Sequence, residues 1–158
     1  AKAKKQKLNW SIIIAGTGDL EVKLKQMITE YNVEDTVKLL GFRNDVLALM
    51  NASDLFVLSS DSEGMSNALR EAMAVGKACV ATDVFGVSEL FQEGKSGIMV
   101  RRGDEDGIFQ AIKSIFQDDL LKSELEKKAS ELIRTSFTMK SMIDQIEELF
   151  ETQLAKKV

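Results

Sequence analysis

Between Ser59 and Ala74 the chain reads Ser-Ser-Asp-Ser-Glu-Gly-Met-Ser-Asn-Ala-Leu-Arg-Glu-Ala-Met-Ala, and this stretch concentrates the groups able to do chemistry. Glu63 stands in a polar loop, Gly64 permits close approach of a ligand to the backbone, and the amides of Met65, Ser66 and Asn67 open a helix. A helix start carries about half a positive charge and favours an anion such as phosphate. Glu71 follows Glu63 at a spacing of eight. Eight helical residues advance ~12 Å and overshoot two revolutions by ~80°, so the carboxylates share a side without touching. That is too far apart to share a proton and suits gripping two ends of an elongated ligand. A blander account weighs equally on the residues alone. In it Glu63 complements the helix start, worth ~0.3–1 kcal/mol, and Glu71 sits on a solvated face.

Other chemistry is excluded or weak. The 158 residues contain no histidine, which removes imidazole bases, serine and cysteine triads and most zinc sites. The lone Cys79 lies in the apolar run Ala78–Ala81 and reads as core; one unpaired thiol suits a reducing compartment. Gly16-Thr17-Gly18 follows an apolar run and opens a helix, but Glu21 occupies the third glycine position of a dinucleotide fingerprint. A tight turn and a phosphate contact explain the two glycines about equally. Gly94-Lys95-Ser96 imitates the end of a P-loop, yet Glu89 stands where its first glycine belongs, so it reads as a turn. Asp19, Asp61 and Asp83 lack the spacing of metal ligands, and no metal or cofactor is implied.

These groups need elements to hold them. Apolar runs at Trp10–Ala15, Thr36–Leu40, Asp54–Ser59, Lys77–Thr82 and Gly97–Arg101 predict five strands. Helical spacing predicts helices over 20–31, 46–50, 65–75, 87–91, 105–116, 120–134 and 139–154. In the last of these Met142, Ile143, Ile146, Leu149 and Phe150 share a face. Nearly all-apolar strands alternating with helices imply an α/β, doubly wound, mostly parallel sheet covered on both faces, built as one domain over 1–158. Ligands bind such sheets where strand ends turn into helices, here Gly16–Asp19, Gly41–Arg43, Ser59–Gly64 and Asp83–Gly86.

No run reaches the ~18 apolar residues of a membrane span, and the basic start Ala1–Leu8 lacks the apolar core of a signal peptide. The expectation is a soluble, cytoplasmic protein. A net charge of −4 argues against a general nucleic-acid partner. Lys2, Lys4, Lys5 and Lys7, with Lys156 and Lys157, read as solvated ends; peripheral contact with anionic lipid at the inner face of the membrane is the alternative.

The run Glu63-Gly64-Met65-Ser66-Asn67-Ala68-Leu69-Arg70-Glu71-Ala72-Met73-Ala74-Val75-Gly76-Lys77, then Val80–Asp83 and Gly86-Val87-Ser88-Glu89-Leu90, resembles the E-x7-E region of retaining GT-B glycosyltransferases of the group 1 type. Ile14–Gly18, Val37–Phe42 and Ala52–Ser60 agree, and the similarity runs from Trp10 to Phe150. The resemblance implies the Rossmann-like, nucleotide-sugar-binding C-terminal half of such an enzyme, acting in surface polysaccharide biosynthesis on a glycan or lipid-linked acceptor. It implies Glu63 as the catalytic residue, on the donor sugar or its phosphate side, and Glu71 on the ribose hydroxyls. Gly64, Met65, Ser66 and Asn67 would meet the sugar and distal phosphate, Gly16, Thr17 and Gly18 the diphosphate, and Gly41, Phe42 and Arg43 the base. Ala78 and Ser66 stand where the family commonly has Pro. The family's first strand, with its diphosphate-clamping Arg and Lys, and its acceptor-binding N-terminal half would lie outside this sequence. A fragment with weak or no turnover is expected. A non-catalytic nucleotide-binding module and a purely structural α/β domain are the alternatives.

Overall fold

The computed structural model describes residues 1–91 and 95–155. Contacts gather into two compact units, Ala1–Leu49 and Met50–Val158.

In the first unit, α1 (Lys2–Lys5) is a single turn, followed by β1 (Ile12–Ala15), α2 (Glu21–Glu30), β2 (Val37–Gly41) and the start of α3 (Val46–Ala52). β1 and β2 pair in parallel, Ile12 opposite Val37 and Ile14 opposite Leu39. A register shift then sets Ala15 opposite Gly41. Lys4 Nζ donates to the Asn32 carbonyl at 2.5 Å and to Asp35 Oδ1 at 2.9 Å, tying α1 to the turn before β2. The strand itself departs from expectation. Ile12, Ile13 and Ile14 are 47%, 45% and 37% exposed, although their apolar run predicts burial on both faces. A run of isoleucines records what a strand can bury, and not whether its own unit carries the layer that covers it.

The second unit continues with β3 (Leu55–Leu58), α4 (Asn67–Ala74), β4 (Ala78–Thr82), α5 (Val87–Phe91), β5 (Ile98–Val100), α6 (Glu105–Gln117), α7 (Asp119–Ser136) and α8 (Met139–Ala155). Its sheet is parallel throughout, in the order β3-β4-β5, with Leu55 opposite Ala78 and Val80 opposite Ile98. All five residues of β4 are buried. Because side chains alternate along a strand, this means both faces of β4 are covered. Ala78 and Val80 join Val100, Ala111, Ile115 and Leu125 in one core cluster, which places α6 and α7 against the strand.

Side-chain caps set the helix boundaries. Asp104 accepts from the Gly107 amide at 2.7 Å to start α6, and Asp118 accepts from the Leu121 amide at 2.9 Å to start α7. Asp118 is in extended conformation, which is why the apolar period breaks there into two helices. The parallel α/β class is therefore as expected, but among the described residues the five strands form two sheets, one of two strands and one of three. On α8 the apolar face carrying Met142, Ile143, Ile146, Leu149 and Phe150 is exposed.

Candidate functional site

The loop between β3 and α4 carries Glu63. Its carboxylate is partly buried and accepts from the Ser60 hydroxyl at 2.7 Å on Oε1. Ser60 is itself held, because the buried Thr82 at the end of β4 donates from Oγ1 to the Ser60 carbonyl at 2.6 Å. Arg102, just past β5, donates from Nη1 to the Asp61 carbonyl at 3.1 Å. Gly86 supplies a further hold: a β-carbon there would lie 1.6 Å from the Gly64 carbonyl oxygen, so the two loops touch backbone to backbone. Gly64 itself faces open space.

Helix α4 begins at Asn67, two residues later than the sequence predicts. Ser66 is the N-cap: its backbone is extended and its buried hydroxyl accepts from the Leu69 amide at 3.3 Å. The Leu69 amide is thereby satisfied, and the amides at the mouth of the helix are those of Asn67 and Ala68 rather than Met65 through Asn67. Leu69, Ala72 and Met73 anchor the opposite face in the core, so the polar face of the helix is fixed outward. On that face Arg70 donates to the Asn67 side-chain oxygen. Asn67, Arg70, Glu71, Ala74, Ile133 and Phe137 line a shallow groove of about 220 Å³ between α4 and α7. Glu71 is exposed there; Glu63 turns to Ser60 and does not line this groove.

The remaining candidates belong to the unit Ala1–Leu49. The Gly16 amide donates to the Gly41 carbonyl at 2.8 Å, joining the ends of β1 and β2. Both glycines take positive φ, 131° at Gly16 and 64° at Gly41, which side-chain-bearing residues rarely adopt. Thr17 and Gly18 are exposed, and α2 starts at Glu21, so the glycine turn precedes the helix without forming its first turn. Phe42 is exposed, and Arg43 is engaged in a fork with Asp45, Nε to Oδ1 at 2.7 Å and Nη2 to Oδ2 at 2.5 Å. That pairing raises the Arg43 pKa and holds the Asp45 carboxyl below the usual carboxylate range.

Cys79 is core, as its sequence context indicates: it is fully buried, and desolvation pushes its thiol up to about 12. Of the P-loop mimic, Gly94 lies outside the described residues; the Ser96 hydroxyl is buried and donates to the Leu90 carbonyl at 3.0 Å. Lys156 and Lys157 also lie outside the described residues. Among the described residues no helix is long and apolar enough to cross a membrane, and no three metal-ligating side chains gather. The sequence placed Ser60 and Gly86 in strand-end segments that could meet a ligand, but gave neither a role in holding Glu63 and gave Thr82 and Arg102 none at all. Gly86 had a signal, since it closes the turn after β4, whereas Thr82 and Ser60 are 22 residues apart and carried none.

The family model for glycosyl transferases group 1 matches residues 1–134. The chain is 29% identical over 156 residues to the lipopolysaccharide core biosynthesis glycosyltransferase LpsD of Rhizobium meliloti (strain 1021), covering 99% of this chain and 46% of that protein. It is 36% identical over 124 residues to N-acetylgalactosamine-N,N'-diacetylbacillosaminyl-diphospho-undecaprenol 4-alpha-N-acetylgalactosaminyltransferase of Campylobacter jejuni, covering 78% of this chain and 34% of that one. Among solved structures, Anabaena Alr3699/HepE in complex with UDP superposes with a TM-score of 0.82 at 28% identity, over 90% of this chain and 41% of that one. The chain thus spans less than half the length of each of these relatives. The structural neighbours are GT-B glycosyltransferases, in agreement with the parallel α/β fold. The chain belongs to the glycosyl transferases group 1 family.

Proposed function

We propose that this chain is the donor-binding half of a glycosyltransferase that moves a sugar, with retention of anomeric configuration, from a nucleoside diphosphate sugar to a glycan or lipid-linked acceptor in surface polysaccharide synthesis. The observation that carries this reading is the pairing of an oriented carboxylate, Glu63, with a helix mouth capped by Ser66 and an exposed carboxylate, Glu71, on the same helix. Support for the donor class comes from the Anabaena relative, which has been solved with UDP and with UDP-glucose.

In this reading Glu63 meets the donor sugar, and the backbone from Gly64 to Ala68 receives the sugar and distal phosphate. Glu71 accepts hydrogen bonds from the ribose hydroxyls. As the glycosidic bond breaks, the departing nucleoside diphosphate keeps the electron pair and gains negative charge. The dipoles at the start of α4 are fixed before the reaction, so they stabilise that charge without reorganising, which lowers the barrier. The acceptor site lies in the remainder of the protein, so the 158 residues alone bind nucleotide and transfer little or no sugar. The reading carries a cytoplasmic location, in which the amino-terminal lysines are a solvated end and contact with anionic lipid at the inner face of the membrane is the alternative.

Calorimetric titration with UDP, GDP and ADP tests this. Binding of one of them in the micromolar to millimolar range is expected. No binding by any at millimolar concentration overturns the reading in favour of a purely structural α/β domain, and binding by a full-length protein that transfers no sugar favours a nucleotide-binding module.

A further inference from the structure

We infer that Ser60 is a positioning residue for Glu63, and that Thr82 fixes Ser60 in turn. The inference rests on the reading of Glu63 as the carboxylate on the donor sugar. Glu63 sits in a loop without regular structure, where a glutamate side chain would otherwise sample many rotamers. Instead the Ser60 hydroxyl donates to Glu63 Oε1 at 2.7 Å, which orients the carboxylate and leaves Oε2 available to a sugar hydroxyl. The accuracy of this arrangement comes from the sheet. Thr82 ends the fully buried strand β4 and is 3% exposed, and it grips the Ser60 carbonyl at 2.6 Å. Arg102 holds the next carbonyl, that of Asp61, and Gly86 seats the carbonyl of Gly64. Thr82, Arg102 and Gly86 thus fix the loop backbone on either side of Glu63, and the Ser60 hydroxyl carries that order to the carboxylate. Precise placement of a reacting or binding group is worth large factors in rate and affinity, so the hydroxyl contributes through Glu63 and not by contact of its own.

The test uses the full-length protein that carries this chain, in the forms wild type, Ser60→Ala, Ser60→Thr, Glu63→Ala and Ser60→Ala/Glu63→Ala. Affinities are measured for UDP and for whichever of UDP-glucose and UDP-N-acetylglucosamine the wild type binds more tightly. Ser60→Ala is expected to weaken the sugar nucleotide about 10-fold, equivalent to ~1.4 kcal/mol, while UDP changes by less than about 2-fold. Ser60→Thr, which keeps the hydroxyl, restores most of the loss. In the Glu63→Ala background Ser60→Ala costs less than about 2-fold, because the group it positions is gone. Equal losses in both backgrounds, no loss at all, or a parallel loss for UDP overturns the positioning role while leaving the donor pocket standing. A wild type that binds none of the nucleotides overturns the donor reading and this inference with it.

Discussion

A β-carbon placed on Gly86 would stand 1.6 Å from the carbonyl oxygen of Gly64, whereas one placed on Gly64 would meet nothing within 4 Å. The contact is therefore one-sided: Gly86 is glycine so that the β4–α5 turn can support the loop that carries Glu63. Gly86 also takes φ of 83°, a conformation that costs a side-chain-bearing residue roughly 1–2 kcal/mol. Gly86→Ala should destabilise the protein by about 2 kcal/mol or more and displace the loop, seen as a lower thermal midpoint together with loss of nucleotide binding. Gly64→Ala should leave the midpoint nearly unchanged and still weaken a sugar nucleotide about 10-fold, since its methyl enters the space assigned to the ligand. If Gly64→Ala binds as well as wild type, that space is not the pocket.

Cys79 gives a test that is independent of any ligand. Its thiol is fully buried and pushed up to about 12 by desolvation, and its Sγ approaches the Lys77 carbonyl at 3.3 Å. The thiolate is the reactive species, so at pH 8 the native protein should resist alkylation by iodoacetamide over hours and react at the rate of a free thiol only in denaturant. Cys79→Ala should cost about 1–2 kcal/mol through a small cavity and leave nucleotide affinity unaltered. Rapid labelling of the folded protein would show that β4 is not the covered strand described above.

Most elements could be read from periodicity because packing and chain pattern agree there. Helix α5 over Val87–Phe91 follows from Val87, Leu90 and Phe91 at helical spacing, and β4 follows from the apolar run Ala78–Ala81. The start of α4 was displaced by two residues because Ser66 caps it from an extended backbone. The residue three positions later is Leu69, so no reciprocal capping pair marked the boundary. Exposure of β1 could not be read at all, since isoleucines look the same whether or not a covering layer is at hand. At the candidate site the carboxylates were legible as residue types at a spacing. Their surroundings were not, for Thr82 reaches Ser60 only once β3 and β4 lie side by side.

Acid should act on the unit Ala1–Leu49 through two exposed carboxylates. A hydrogen bond from Lys4 lowers Asp35, and the fork with Arg43 lowers Asp45, each from an ordinary value of 3.8. A carboxylate whose folded pKa lies below its unfolded one adds stability that is present above pH 3.8 and lost as pH falls through the folded value. Carboxyl NMR titration should therefore find both groups ionised at lower pH than in the unfolded chain. Lys4→Met should raise the midpoint of Asp35 alone, and Arg43→Met that of Asp45 alone. Because both pairs are exposed, 1 M salt should shrink the two shifts. Midpoints unmoved by these substitutions would mean that the ion pairs do not persist in solution.

Glu71 separates binding from folding most cleanly. It is exposed on α4 beside Asn67 and Arg70, while Leu69, Ala72 and Met73 hold the helix in place from the other side. Removing its carboxylate takes nothing from the core, so Glu71→Ala should change stability by no more than about 0.5 kcal/mol. If the carboxylate accepts from two ribose hydroxyls, losing those charge-assisted bonds should weaken UDP about 10- to 100-fold, or ~1.4–2.7 kcal/mol. Glu71→Gln keeps an acceptor without the charge and should fall between that variant and wild type. Glu147→Ala, an exposed glutamate of α8, should have no effect. The ribose supplies a further control: 2′-deoxy-UDP should bind wild type more weakly than UDP and Glu71→Ala almost equally, because the hydroxyl it lacks matters only where the carboxylate is present to receive it.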